Sequence, residues 1–99
     1  PGLSLDRIDD HRGWLQERVI EVLTAAAETA QPSRAVAYLA RVLEVDPLNE
    51  EALRSLLRRL LGRGRLRDAQ RHFSEFAQRL RDEMGLEPLP ETRALLETA

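Results

Sequence analysis

The chain of 99 residues contains no cysteine and no lysine, only two histidines, and aromatic residues at 4%. The missing cysteines exclude disulfides and thiolate metal sites, and agree with a reducing cytoplasm, where the protein is expected to reside. Few aromatics, and no stretch alternating apolar with polar residues over strand length, argue against a β fold. No apolar run approaches the ~20 residues that cross a bilayer, so no membrane association is expected. No basic stretch followed by an apolar one opens the chain, so no signal peptide is expected. Pro1 in place of Met is read as the start of a fragment of a longer protein or of a processed chain.

Chemistry-bearing patterns are equally scarce. No catalytic residue, metal site or cofactor site is expected. There is no cysteine nucleophile and no His-Glu-x-x-His zinc helix. Gly62-Arg63-Gly64 lacks a preceding strand and a third glycine, so it is read as a helix end rather than a dinucleotide loop. His11 and His72 are read as ordinary surface histidines. Asp9-Asp10, Glu50-Glu51 and Asp82-Glu83 are read as solvated surface or first-turn charges.

What the chain does contain is helical periodicity, with 42% apolar and 32% charged residues. Leu15, Val19, Val22, Leu23 and Ala26 share helical spacing and predict a first helix over about 10–29. Gln31-Pro32-Ser33 ends it, and Pro32 suits the opening of the next, where a missing N–H costs nothing. Ala35, Tyr38, Leu39, Val42 and Leu43 define a second helix that stops near Val45, because Pro47 follows. Asp46 and Asn49 both suit the cap of a third helix carrying Leu53, Leu56, Leu57, Leu60 and Leu61. A fourth runs over about 66–84 with Ala69, Phe73, Phe76, Ala77 and Leu80 inward, and Gly85 stops it. Pro88-Leu89-Pro90 leads to a short last helix at about 91–98.

The chain also resembles itself. At an offset of 34 residues Val19 aligns with Leu53, Val22 with Leu56, Ala35 with Ala69, Leu39 with Phe73 and Val42 with Phe76. Small residues at Ala35 and Ala69 let two antiparallel helices approach closely, large ones at Leu39 and Phe73 fill the space between them, and Pro47 turns the chain into the next pair. A 34-residue helix–turn–helix of this kind resembles a tetratricopeptide repeat (TPR). An unrelated helical bundle is the alternative. The expected fold is all-α: a tetratricopeptide-like right-handed array of two helical hairpins plus a C-terminal capping helix. Residues 1–99 then form a single helical domain, with an N-terminal extension (1–9), a first hairpin (10–45), a second hairpin (47–84) and the capping helix (90–98). Leu3, Leu5 and Ile8 are candidates to cover the first hairpin.

Charge is uneven. Residues 1–51 carry five Arg against ten acids (−5), residues 52–74 seven Arg against Asp68 alone (+6), and residues 75–99 three Arg against six acids (−3). The basic island holds Arg54, Arg58, Arg59, Arg63, Arg65, Arg67 and Arg71. It is a candidate partner or phosphate contact, and a cluster of this kind could bind nucleic acid with strong salt dependence. No aromatics are interleaved with it and no recognition helix is evident, so an acidic protein surface or a plain solvated face are the competing readings. If the array instead holds an extended peptide, Arg18, Glu21, Arg54 and Arg58 would line its groove.

Three stretches carry a family resemblance: Leu-Glu-Val-Asp-Pro-Leu-Asn-Glu-Glu-Ala (43–52), Gly-Arg-Leu-Arg-Asp-Ala (64–69) and Leu-Arg-Asp-Glu-Met-Gly-Leu-Glu-Pro-Leu-Pro-Glu-Thr-Arg-Ala-Leu (80–95). Together they resemble the bacterial transcriptional activator domain (BTAD) of the Streptomyces antibiotic regulatory proteins and related large regulators. Gly-Leu-Glu-Pro-x-Pro-Glu-Thr-Arg at 85–93 is the most distinctive part. The resemblance implies a helical regulatory module that usually follows a winged-helix DNA-binding domain. It implies protein partners: a second copy, other domains of the parent regulator, or RNA polymerase. It also implies that this chain does not itself contact DNA sequence-specifically. Leu89 stands where the family often has Ser, which predicts a last helix lacking a capping bond of ~1 kcal/mol.

Overall fold

A computed structural model describes residues 2–98, with side chains described from Gly13 to Thr98. Five helices follow one another: α1 (Gly2–Thr29), α2 (Pro32–Val45), α3 (Glu50–Gly62), α4 (Leu66–Met84) and α5 (Pro90–Glu97). No strand occurs among the described residues. The fold is all-α and tetratricopeptide-like. Packing runs α1 on α2, α2 on α3, α3 on α4, and α5 back onto α3.

Each boundary has a local cause. Pro32 opens α2 at its first turn, and the Asp46 N–H closes it on Val42 O at 2.8 Å. The choice between two caps for α3 falls to Asn49, whose Oδ1 accepts the Ala52 N–H at 3.0 Å. Glu50 and Glu51 then sit in the positive first turn. At the other end of α3, Gly64 takes φ 72°. The Arg65 N–H reaches Leu60 O at 2.8 Å and the Gly64 N–H reaches Leu61 O at 3.0 Å. That paired closure is a Schellman motif, which favours glycine at the left-handed position. Gly85, at φ 66°, ends α4 where expected.

The core is one cluster in which Leu39, Leu53, Leu56, Leu57, Leu60, Phe76 and Leu80 pack around the small contacts Ala27, Ala35 and Ala69. Ala35 and Ala69 are fully buried, as helix–helix contact points must be. Three results depart from the sequence expectation. Helix α1 begins at Gly2 rather than near residue 10, and no proline interrupts the sequence from Gly2 to Thr29. The roles expected of Leu3, Leu5, Ile8, Asp9, Asp10 and His11 lie outside the described side chains. Phe73 is only half-buried, while Phe76 one turn on is 5% exposed and fills the core. Finally, Val19 and Val22, the repeat partners of the fully buried Leu53 and Leu56, are 44% and 59% exposed.

That last difference follows from position in the array. Helix α3 has α2 packed before it and α4 after it, so its leucines are enclosed on both sides. Helix α1 has a neighbour only after it. It is also 28 residues long against 14 for α2, or about 42 Å against 21 Å at 1.5 Å per residue. The molecule is accordingly elongated, with extents of 53 × 34 × 17 Å.

Candidate functional site: the open face of the first helix

Leu15, Val19 and Val22 lie at i, i+4 and i+7 on α1, and all three are exposed; half-buried Ala26 continues the row. Residues so spaced form one stripe along a helix. The adjoining face of the same helix, one residue round, is used inside the fold, with Ala27 buried and Ile20 and Leu23 half-buried. Arg18 and Glu21 flank the stripe and pair with each other at 3.3 Å. No other helix presents such a row. The exposed residues of α4 are polar, including Ser74, Glu75, Gln78, Arg79, Asp82 and Glu83, apart from Leu66 and Met84 at its two ends.

The seven arginines of the basic island do not form one site. Arg54 turns toward α5, where its Nη1 donates to Thr92 Oγ1 at 3.2 Å and lies 3.9 Å from Glu50. Arg59 lines a cleft between α1 and α3. The Arg65 Nε donates to Asp68 Oδ2 at 2.7 Å, and Arg71 lies 3.8 Å from Asp68 and 3.6 Å from Glu75. Arg58, Arg63 and Arg67 are exposed, and none forms an ion pair within the described residues.

The α1–α3 cleft, about 210 Å³, is lined by Ile20, Thr24, Glu28, Glu51, Ser55 and Arg59 among others. It is not the groove that sequence reasoning lined with Arg18, Glu21, Arg54 and Arg58. A one-residue shift around a helix moves a side chain by 100°, enough to replace the expected set with its neighbours. His72, expected on an outward face, is instead half-buried in a smaller pocket of about 110 Å³ with Leu43, Pro47, Glu75, Phe76 and Arg79. Burial, and next the Arg71 guanidinium, hold its imidazole below the usual histidine range, against the opposing pull of Glu75 and Asp68.

The distinctive tail at 85–93 turns out to be structural. Leu89 begins α5 without a side-chain cap, and its own side chain is exposed. A different tie comes from α3: Glu50 Oε2 accepts the Leu89 N–H at 2.7 Å and the Thr92 hydroxyl at 2.5 Å. Thr92 is fully buried, and its oxygen also accepts from Arg54. The tie to Leu89 comes from a residue 39 positions away, a partnership that no local pattern announces.

No metal-holding group of His, Asp or Glu occurs among the described residues, and none of their helices is long and apolar enough to cross a membrane. No curated protein and no solved structure shows a significant match to the chain. The family model described as bacterial transcriptional activator domain matches residues 3–98. The chain therefore belongs to that family, which is a family of regulatory domains rather than of enzymes.

Proposed function

We propose that this domain acts in the bacterial cytoplasm as a protein-interaction module of a transcriptional regulator, binding its partner through the open face of α1 and performing no chemistry itself. The observation that carries this reading is the contrast between equivalent positions: Leu53 and Leu56 are enclosed, while Val19 and Val22 are 44% and 59% exposed. A contiguous apolar stripe along one helix favours coverage by another polypeptide. The partner is a second copy, another domain of the parent regulator, or the transcription machinery. The polar solvent face of α4 makes the opposite end of the array a soluble terminus, as a capping element requires.

Direct nucleic-acid contact is the weaker reading, since Arg54, Arg65 and Arg71 are held by carboxylates or by Thr92. The test is transcription from a target promoter in cells carrying the parent regulator. Val19→Glu with Val22→Glu abolishes regulation while far-UV circular dichroism of the domain is preserved, whereas Arg67→Glu leaves it intact. Regulation that survives the double glutamate but fails with Arg67→Glu places the contact on the basic turn and rejects α1.

A further inference from the structure

We infer that the cleft between α1 and α3 is a binding site for a free α-amino acid with an apolar side chain. This goes beyond the interaction reading and does not depend on it. Helices α1 and α3 both pack against α2, and the cleft runs between them. Its walls are two rows at four-residue spacing, Ile20, Thr24 and Glu28 on α1 and Glu51, Ser55 and Arg59 on α3. Each row is about 12 Å long at 1.5 Å per residue. Buried Ala27, Leu39 and Ala52 also line the cleft and, with half-buried Ile20, supply its apolar part.

The charges in the cleft are unused. Elsewhere on the surface, charges three or four residues apart neutralise each other, as in Arg18–Glu21 at 3.3 Å, Arg71–Glu75 at 3.6 Å and Arg79–Glu83 at 3.2 Å. Glu51 and Arg59 are two turns apart on α3, too far to pair in that way. Among the described residues Arg59, Glu28 and Glu51 form no ion pair, and Thr24 and Ser55 form no side-chain hydrogen bond. Arg59 is half-buried, and a guanidinium stays charged and favours a carboxylate in bidentate contact. A simple anion drawn to Arg59 would be repelled by the two glutamates, and a simple cation would meet the reverse. A zwitterion satisfies both signs at once, with its carboxylate on Arg59 and its ammonium on Glu28 or Glu51. Its side chain then rests on the apolar part. Size selects a free amino acid over a longer peptide, because about 210 Å³ falls below the ~300–1,000 Å³ of sites that enclose drug-sized ligands.

Isothermal titration calorimetry of the 99-residue chain with L-leucine, alongside L-alanine and L-phenylalanine, tests this. L-Leucine binds with a dissociation constant below about 1 mM. Two analogues remove one charge at a time: N-acetyl-L-leucine lacks the ammonium, and L-leucine amide lacks the carboxylate. Each binds about tenfold more weakly or worse. Arg59→Gln weakens L-leucine binding by a similar factor, whereas Arg58→Gln, at an exposed neighbour outside the cleft, leaves it unchanged. The analogues act on the wild-type chain, so the test holds even where a variant fails to fold. Binding of none of the three amino acids at up to about 10 mM, analogues that bind as well as L-leucine, or a folded Arg59→Gln variant of unchanged affinity each overturn the site. A leucine tripeptide that binds more tightly than L-leucine would put an extended chain in the cleft and overturns it too. None of these outcomes involves Val19 or Val22, so failure here leaves the interaction reading standing.

Discussion

Glu50 on α3 and Thr92 on α5 are joined by a 2.5 Å hydrogen bond across 42 residues of sequence, and the same carboxylate oxygen accepts the backbone N–H of Leu89. The side chains of Glu50 and Arg54 are 16% and 19% exposed, so the cluster is largely shielded from water, and no fully buried side-chain polar atom among the described residues lacks a partner. Helix α5 is therefore docked by chemistry borrowed from α3.

Removing that carboxylate should be costly. Glu50→Ala strands the Thr92 hydroxyl and the Leu89 N–H and leaves Arg54 without its neighbouring charge, an effect of about 1–3 kcal/mol in urea unfolding. Thr92→Val, which fills the same volume but loses the hydroxyl, is expected to cost a comparable amount. A neutral result for both would mean that α5 is held by Leu95 and Leu96 alone, which pack against the core cluster.

The two phenylalanines of α4 separate by burial. Phe76→Ala empties a core position and should cost about 3–5 kcal/mol. Phe73→Ala should cost clearly less, about 1–2 kcal/mol, because its ring is already partly in water and only part of its transfer energy is at stake. Ala69→Leu forces side-chain volume into a fully buried helix contact, with an expected loss of about 1–3 kcal/mol. Urea melts of the three variants side by side give the ranking.

Acidification should weaken the domain near neutral pH. The folded His72 pKa lies below its ordinary value of 6.5, so the unfolded chain binds the proton more readily. The contribution of the neutral imidazole is present above about pH 6.5 and is lost as the pH falls through that value toward the depressed folded pKa. His72→Gln removes this component. Its stability should then be flat over the same interval, until carboxylate titration begins at lower pH. A wild-type stability curve with no slope between pH 7 and 5.5 would contradict the burial of His72.

How much of this was legible beforehand depended on whether the cause was local. The turn chemistry of Pro32, Gly64 and Gly85 and the small contacts at Ala35 and Ala69 were readable, because each acts within a few residues of itself. Asn49 won the cap over Asp46 only once the path of the chain between α2 and α3 was fixed. The tie from Glu50 to α5, the half-burial of His72 and the shallower seat of Phe73 all depend on distant neighbours. The open face of α1 was hidden by the repeat itself. Aligning Val19 with Leu53 suggests equal environments, yet a terminal helix lacks the neighbour that encloses an internal one.

The central claim is that a partner covers the α1 stripe when the regulator works. Because the chain contains no cysteine, Val22→Cys introduces a single thiol on that stripe, and its alkylation rate reads coverage directly. With the parent regulator's other cysteines replaced, the rate in the functioning full-length protein should fall several-fold below that of the unfolded domain and of a Gln78→Cys control on α4. Equal alkylation of Cys at both positions, in a regulator shown to be active, would mean that the face of α1 stays bare and would contradict the account.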